Sequence, residues 1–151
     1  MDLGCSPGSW LLYAAKIIGP SGYAVGIDIN PTPIKEASNI RVIEGNILSD
    51  GHDLLKSLEK KFNVVMSDMA PSTTGQKDVD AARSFELSMA ALKIAEEFLV
   101  PRGRFICKIF QGEDFQEFSE KARSRFKTLR IYKPQSSRKA SKEIYIIGID
   151  K

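Results

Sequence analysis

An α/β fold built on one mostly parallel sheet is what this sequence predicts, and three patterns predict it. Apolar runs of strand length recur along the 151 residues. Segments with helical spacing of apolar residues separate most of them. The strands read as near-continuous apolar runs rather than alternating ones, as expected where a sheet is covered on both faces.

The chain opens on "MDLGCSPGSW", the end of a strand running into a glycine turn and a helix at 8–18. A strand at 23–29 ("YAVGIDI") follows, then a short helix at 33–37, a strand at 40–45 ("IRVIEG") and a helix at 51–60. The run "FNVVMSDM" makes a strand at 62–69. Between 78 and 99, Phe85, Met89, Leu92, Ala95 and Leu99 recur by threes and fours, one apolar stripe on a helix. "VPRGR" ends that helix with proline and glycine. The strand "GRFICKIF" (103–110), a helix at 112–125, and strands at 126–132 and 143–149 complete the order. Only "KPQSSRKASK" joins the last two strands. A parallel pair needs a longer crossover, so the final pair is expected to be antiparallel. That makes seven strands with helices on both faces. No linker or repeat interrupts them, so 1–151 is expected to be one domain.

Composition narrows the function classes. Hydrophobic residues make up 42% and charged residues 27%, values of a soluble globular chain. No apolar run approaches the ~18 residues of a membrane span, and there is no basic-then-apolar leader. A cytoplasmic monomer without membrane partners is expected. Cys5 and Cys107 fall in core strands or turns and are expected to be reduced. With the single His52 they have no metal-ligand spacing, so no metal is expected. Net charge is +3, but its distribution is uneven. Nine Lys and Arg lie between Lys121 and Lys142, with no Asp or Glu among them; the rest of the chain sums to −6. A cationic segment on an acidic body is a footprint for a polyanion. A solvated face is the alternative reading.

"DLGCSPG" is not the dinucleotide fingerprint, because Gly4 and Gly8 are separated by Cys-Ser-Pro. The physics is related: glycine lets backbone approach a ligand at the start of a helix. Asp28 ends the second strand, about 20 residues on, where a carboxylate can accept hydrogen bonds from both hydroxyls of a ribose. The alternative is a plain strand–turn–helix junction with a surface Asp. The spacing D-x-G-x-x-P-G, with Trp10 behind it, is similar to the first motif of S-adenosylmethionine (SAM)-dependent methyltransferases. Trp10 is otherwise a helix-packing residue. Asn46, after the third strand, is placed for adenine, or else caps the next helix.

Charged groups collect at strand ends. "SDMAPS" puts Asp68 at the end of its strand, "CKIFQG" puts Lys108 inside an apolar one, and Glu143 begins the last. A core lysine is rare unless paired. Lys108 either snorkels from an edge strand or faces a cleft, with Asp68 and Glu143 as counter-charges.

"DLGCSPGSW", "SDMAP", "CKIFQG" and "KPQSSRKASKEIY" resemble, in order and spacing, the motifs of the FtsJ family of ribosomal RNA 2′-O-methyltransferases. The resemblance covers essentially the whole chain and implies a Rossmann-like SAM-dependent methyltransferase fold. It implies a catalytic Lys-Asp-Lys-Glu tetrad whose last three members fall on Asp68, Lys108 and Glu143. SAM contacts fall on Gly4, Gly8, Trp10, Asp28 and Asp68, and Asn46 stands where the family has an Asp. The implied partner is RNA, held by Lys133, Arg138, Lys139 and Lys142; large-subunit ribosomal RNA is favoured over transfer RNA or messenger caps. The first tetrad lysine lies upstream of the glycine turn in the family and has no counterpart here, and Lys16 follows the turn. The chain is therefore expected to be N-terminally short. Two rivals remain, a SAM- and RNA-binding chain without turnover and a nicotinamide-dependent dehydrogenase. The second needs a diphosphate-binding turn that is not found.

Overall fold

A computed structural model describes residues 1–134 and 142–151. The strands are β1 (Asp2–Leu3), β2 (Ala24–Asp28), β3 (Ile40–Glu44), β4 (Phe62–Ser67), β5 (Leu99–Phe110), β6 (Thr128–Tyr132) and β7 (Glu143–Ile149). They form one sheet in the order β3-β2-β1-β4-β5-β7-β6. β1 to β5 run parallel, and β7 lies antiparallel between β5 and β6. The expected mostly parallel sheet with an antiparallel end is what the chain adopts. β1 is only two residues long yet sits at the centre. Met66 N donates to Met1 O at 2.9 Å, and Gly4 N to Ile27 O at 2.8 Å, so both neighbours hold it.

Among the described residues, four helices cover the sheet: α1 (Ser9–Ile18), α2 (Gly51–Lys56), α3 (Lys77–Phe98) and α4 (Phe115–Arg123). The two faces can be read from alternation along β2. Ala24 and Gly26 face α1, where Leu11, Ala15 and Cys5 form a small core. Val25 and Ile27 face the larger core, which also holds Leu55, Leu92, Phe98, Phe105 and Phe118. That core carries α2, α3 and α4. Phe105, with no exposed surface, stacks on Phe126 at 5.8 Å between ring centres.

The expected helix at 33–37 is absent. Pro31 and Pro33 cannot donate to a helical ladder. Thr32 Oγ1 instead takes the Ile34 amide at 3.1 Å, and Ala37 bridges to Ile40. Near α3 the boundary also differs: the helix stops at Phe98 and β5 begins at Leu99. Pro101 then lies inside the strand, at a bulge where Arg102 has φ 63° and the β4 register shifts. The buried face of α3 is broader than the stripe expected: Leu92 and Ala95 are buried in it as expected, as is Leu99 just past its end. Phe85 and Met89 are half-buried, while Ala81, Ser84, Ser88 and Ala91 face inward. Those small residues let α3 approach β5 closely. Ser84 Oγ accepts from Phe110 N at 3.0 Å, and Ser88 Oγ donates to Lys108 O at 3.1 Å. The helix thereby fixes the backbone that carries Lys108.

His52 on α2 meets Glu97 on α3 at 2.5 Å, which raises the imidazole above its ordinary 6.5 and lowers the Glu97 carboxyl below 4.5. The His52 contribution is fully present below pH 6.5 and is lost as pH rises through its elevated value. The Glu97 contribution is lost as pH falls through its depressed value. Thermal melts of the wild type are expected to fall as pH rises above 6.5, and His52→Ala is expected to flatten that fall. An identical slope in both would contradict the pairing.

Candidate active site

The glycine turn works through backbone shape. Gly4 and Gly8 have φ 77° and 122°. A Cβ on Gly4 would come within 2.5 Å of Met69 Cγ, and one on Gly8 within 2.3 Å of Ile34 Cδ1. Side chains at either point would fill the space between the turn and its neighbours. Asp28 fastens the turn to the end of β2. Its Oδ2 accepts from Ser6 N at 2.8 Å, and its Oδ1 accepts from Asn30 N at 2.8 Å. Oδ1 also accepts from Asn30 Nδ2 at 3.2 Å, so Oδ2 is the oxygen that keeps a second lone-pair position for a ligand.

Beside this turn lies a cavity of about 600 Å³. Of the residues singled out in the sequence, it brings together Gly4, Asp28, Asn46 and Asp68. Gly8 and Trp10 are not in its lining: Gly8 packs toward Ile34, and Trp10 stacks on Tyr145 at 5.7 Å. Asn46 does not cap α2, whose N-cap is Asp50, but is a turn residue that lines the cavity. Its Oδ1 accepts from Leu48 N at 2.9 Å in a turn before α2, while the residue lines the cavity.

Asp68 and Lys108 meet as expected from a cleft-facing lysine. Lys108 is 8% exposed, and its Nζ lies 3.0 Å from Asp68 Oδ1 and 2.7 Å from Asp68 O. Two of the three ammonium N–H groups are thus directed at one residue, and the third is left for another acceptor. Glu143 shares their side of the sheet. Register pairs Lys108 with Tyr145, and Glu143 stands two residues before Tyr145, on the same face.

Two residues of this site were not singled out in the sequence. Tyr145 donates from its hydroxyl to Asp68 Oδ1 at 2.8 Å. Burial first, then that bond and the charges of Asp68 and Glu143, raise its hydroxyl well above the ordinary phenol range. Its signal was available: it is the i+2 neighbour of Glu143 on one strand face. Asp2 is the other. It is 1% exposed, and neither oxygen has a hydrogen-bond partner. The Leu11 amide lies near enough only to soften the cost. Burial pushes its carboxyl up to about 6, opposed by the chain's amino group and helped by Asp68 and Asp28. Cys5 and Cys107 are buried free thiols, each pushed up to about 12 by burial, so neither is a ready nucleophile.

The basic segment is less uniform in space than in sequence. Lys121 pairs with Glu117 at 2.6 Å, and Arg125 with Glu96 at 2.5 Å. Arg130, Lys133 and Lys142 are exposed around β6 and the start of β7. Arg138 and Lys139 lie outside the described residues. Lys16 sits in the last turn of α1, at the end away from the glycine turn.

Known proteins resemble this chain along its whole length. The FtsJ-like methyltransferase family model matches residues 1–151. The ribosomal RNA large subunit methyltransferase E of Desulforapulum autotrophicum is 50% identical over 151 residues, all of this chain and 74% of the relative. The protein of the same name from Desulfatibacillum aliphaticivorans is 45% identical over all of this chain and 73% of its own length. Among solved structures, one described as a ribosomal RNA methyltransferase from Plasmodium falciparum superimposes with a TM-score of 0.82 at 26% identity. That match covers 99% of this chain and 84% of the other. The chain belongs to the FtsJ-like methyltransferase family.

Proposed function

We propose that this chain transfers a methyl group from SAM to a ribose 2′-hydroxyl of RNA, with large-subunit ribosomal RNA as the substrate. The observation that carries the reading is the Lys108–Asp68 pair standing beside a cavity bordered by the glycine turn and Asp28. The names of the 40–50% identical relatives support the substrate class.

The cavity suits SAM in three respects. Gly4 leaves room that a Cβ would fill. Asp28 Oδ2 keeps an acceptor position for a ribose hydroxyl, and Asn46 keeps an amide for adenine. Asp68 lines the cavity, and Asp2, with its unpartnered carboxyl, raises the negative charge near it, which suits a cationic ligand. SAM would supply an electrophilic methyl on a sulfonium.

A 2′-hydroxyl is a poor nucleophile at neutral pH, so the protein's task is alignment and charge stabilisation. Lys108 serves as an ammonium. Its bonds to Asp68 fix its position, and its third N–H reaches the ribose oxygen as negative charge develops there. Asp68 holds that lysine from the cavity side, Tyr145 holds the Asp68 carboxylate, and Glu143 adds a second carboxylate. The hydroxyl proton passes to solvent water as the oxygen–carbon bond forms, so the charge that develops on the oxygen is the negative one an ammonium stabilises. Trp10 supports Tyr145 through its stack. Gly8 sets the helix start.

The test is transfer of labelled methyl from SAM to unmethylated large subunits, with transfer RNA as the comparison. Label in the large-subunit RNA is the expected result; label only in transfer RNA would overturn the substrate assignment. SAM binding with no transfer to any RNA would overturn the assignment of catalysis.

A further inference from the structure

We infer that Tyr132 is a stacking platform for an unpaired RNA base adjacent to the nucleotide being methylated. The inference rests on the RNA-methylation reading above and adds to it a binding residue on the edge strand.

The argument begins with register. Lys108 on β5 pairs with Tyr145 on β7, and Tyr145 pairs with Tyr132 on β6. Directly paired residues project from the same face of a sheet. Lys108, Tyr145 and Tyr132 therefore form one row, crossing three strands outward from the site. The two tyrosines differ in their surroundings. Tyr145 is engaged, its ring on Trp10 and its hydroxyl on Asp68. Tyr132 is 52% exposed at the sheet's edge. Adjacent strands lie about 4.8 Å apart, which puts the Tyr132 backbone about 10 Å from that of Lys108. That is within reach of a base next to the target nucleotide in an extended, unstacked single strand. With the target ribose at Lys108, a neighbouring base falls over Tyr132.

Charge at this edge fits the same ligand. Arg130 lies two residues before Tyr132 on the same face and is exposed, and Lys142 is exposed just before β7. An aromatic face flanked by cations is how single strands are held without sequence preference: the ring takes a base and the cations take phosphates. A purely structural role for Tyr132 is a poor fit, because a ring half in water contributes little burial.

The test compares Tyr132→Ala, Tyr132→Phe and Tyr132→Trp with the wild type. KM for unmethylated large-subunit RNA and affinity for a short mixed-sequence single-stranded RNA are measured across salt concentrations. Tyr132→Ala is expected to weaken both by about tenfold, the size of one base–aromatic stack. kcat and SAM affinity should stay within about twofold. Phe and Trp should retain wild-type behaviour, since the ring and not the hydroxyl does the stacking. The salt slope should be unchanged in Tyr132→Ala but shallower by about one in Arg130→Ala, because only the arginine meets a phosphate. Unchanged RNA affinity in Tyr132→Ala, or a loss in Tyr132→Phe equal to that in Ala, overturns the inference and leaves the methylation reading intact. A loss seen only with intact ribosomal subunits and not with naked RNA also overturns it, since the edge then faces protein. A wild-type chain that binds no RNA overturns both.

Discussion

Replacing Lys108 with alanine is expected to lower methyl transfer by at least about 10²–10³-fold, the usual cost of removing one preorganised donor from a developing oxyanion. SAM affinity should stay within a few-fold, because Lys108 is not among the residues that line the cavity. The distinction comes from geometry. Lys108 Nζ is fixed by both the backbone and the side chain of Asp68, at 2.7 and 3.0 Å. The Tyr145 hydroxyl holds the same carboxylate oxygen. Asp68 therefore keeps one partner when the lysine is lost, and it is partly open to water, so the fold should survive. Lys108→Arg should not rescue transfer, since a planar guanidinium cannot place a single N–H where the ammonium does. Single-turnover transfer and calorimetric SAM binding, run on variants with wild-type melting curves, separate the outcomes. A collapse of SAM affinity in Lys108→Ala would move the residue from the reaction to the cofactor site.

Asp28→Ala is expected to produce the opposite split: SAM affinity falls by about 10²-fold, and transfer at saturating SAM changes much less. Asp28 does two things at once. It is 9% exposed, ties Ser6 to the end of β2, and presents acceptors toward the cavity. A hydrogen bond to a charged group is worth about 1.5–3 kcal/mol, so losing the ligand bonds and the turn's anchor together accounts for that factor. Asp28→Asn should fall between the two. It keeps an acceptor for Asn30 N but faces either Ser6 N or the ligand with an amide donor. Equal SAM affinity in wild type and Asp28→Ala, measured by calorimetry, would show that the cavity does not hold the cofactor's ribose.

The sheet was legible because its evidence is local and repeated. Runs such as "YAVGIDI" and "GRFICKIF" are apolar on both faces, and the short polar join before Glu143 leaves little choice but an antiparallel turn back. What the sequence concealed depended on packing between distant segments. The helix expected at 33–37 has the right residues after Pro33, but the bridge from Ala37 to Ile40 and the Thr32 turn hold the segment extended. The stripe on α3 was incomplete because hydrophobicity marks only part of what is buried. Ser84 and Ser88 face β5 and bond to its backbone, a pattern that looks polar until the strand is beside it.

The site divides in the same way. Asp68 and Lys108 were legible because a charge inside an apolar strand needs a reason. Their contact, 40 residues apart in sequence, follows from the parallel pairing of β4 and β5. Tyr145 was hidden because a tyrosine in a strand has an ordinary packing explanation. Asp2 was hidden because an acid at the head of a glycine turn looks exposed until the sheet closes around it. The division of the basic segment was also invisible, since Glu96, which answers Arg125, is far from it along the chain.

The most direct measurement is where on RNA the methyl arrives. Large-subunit RNA labelled by this chain from methyl-labelled SAM is digested completely with alkali, and the products are separated by size. Alkaline cleavage requires a free 2′-hydroxyl, so a methyl on that oxygen leaves the label in an alkali-resistant dinucleotide. Label in dinucleotides, absent with Lys108→Ala, is the result predicted by a lysine poised over a ribose oxygen. Label in mononucleotides would place the methyl on a base, and the role given to Lys108 would be wrong.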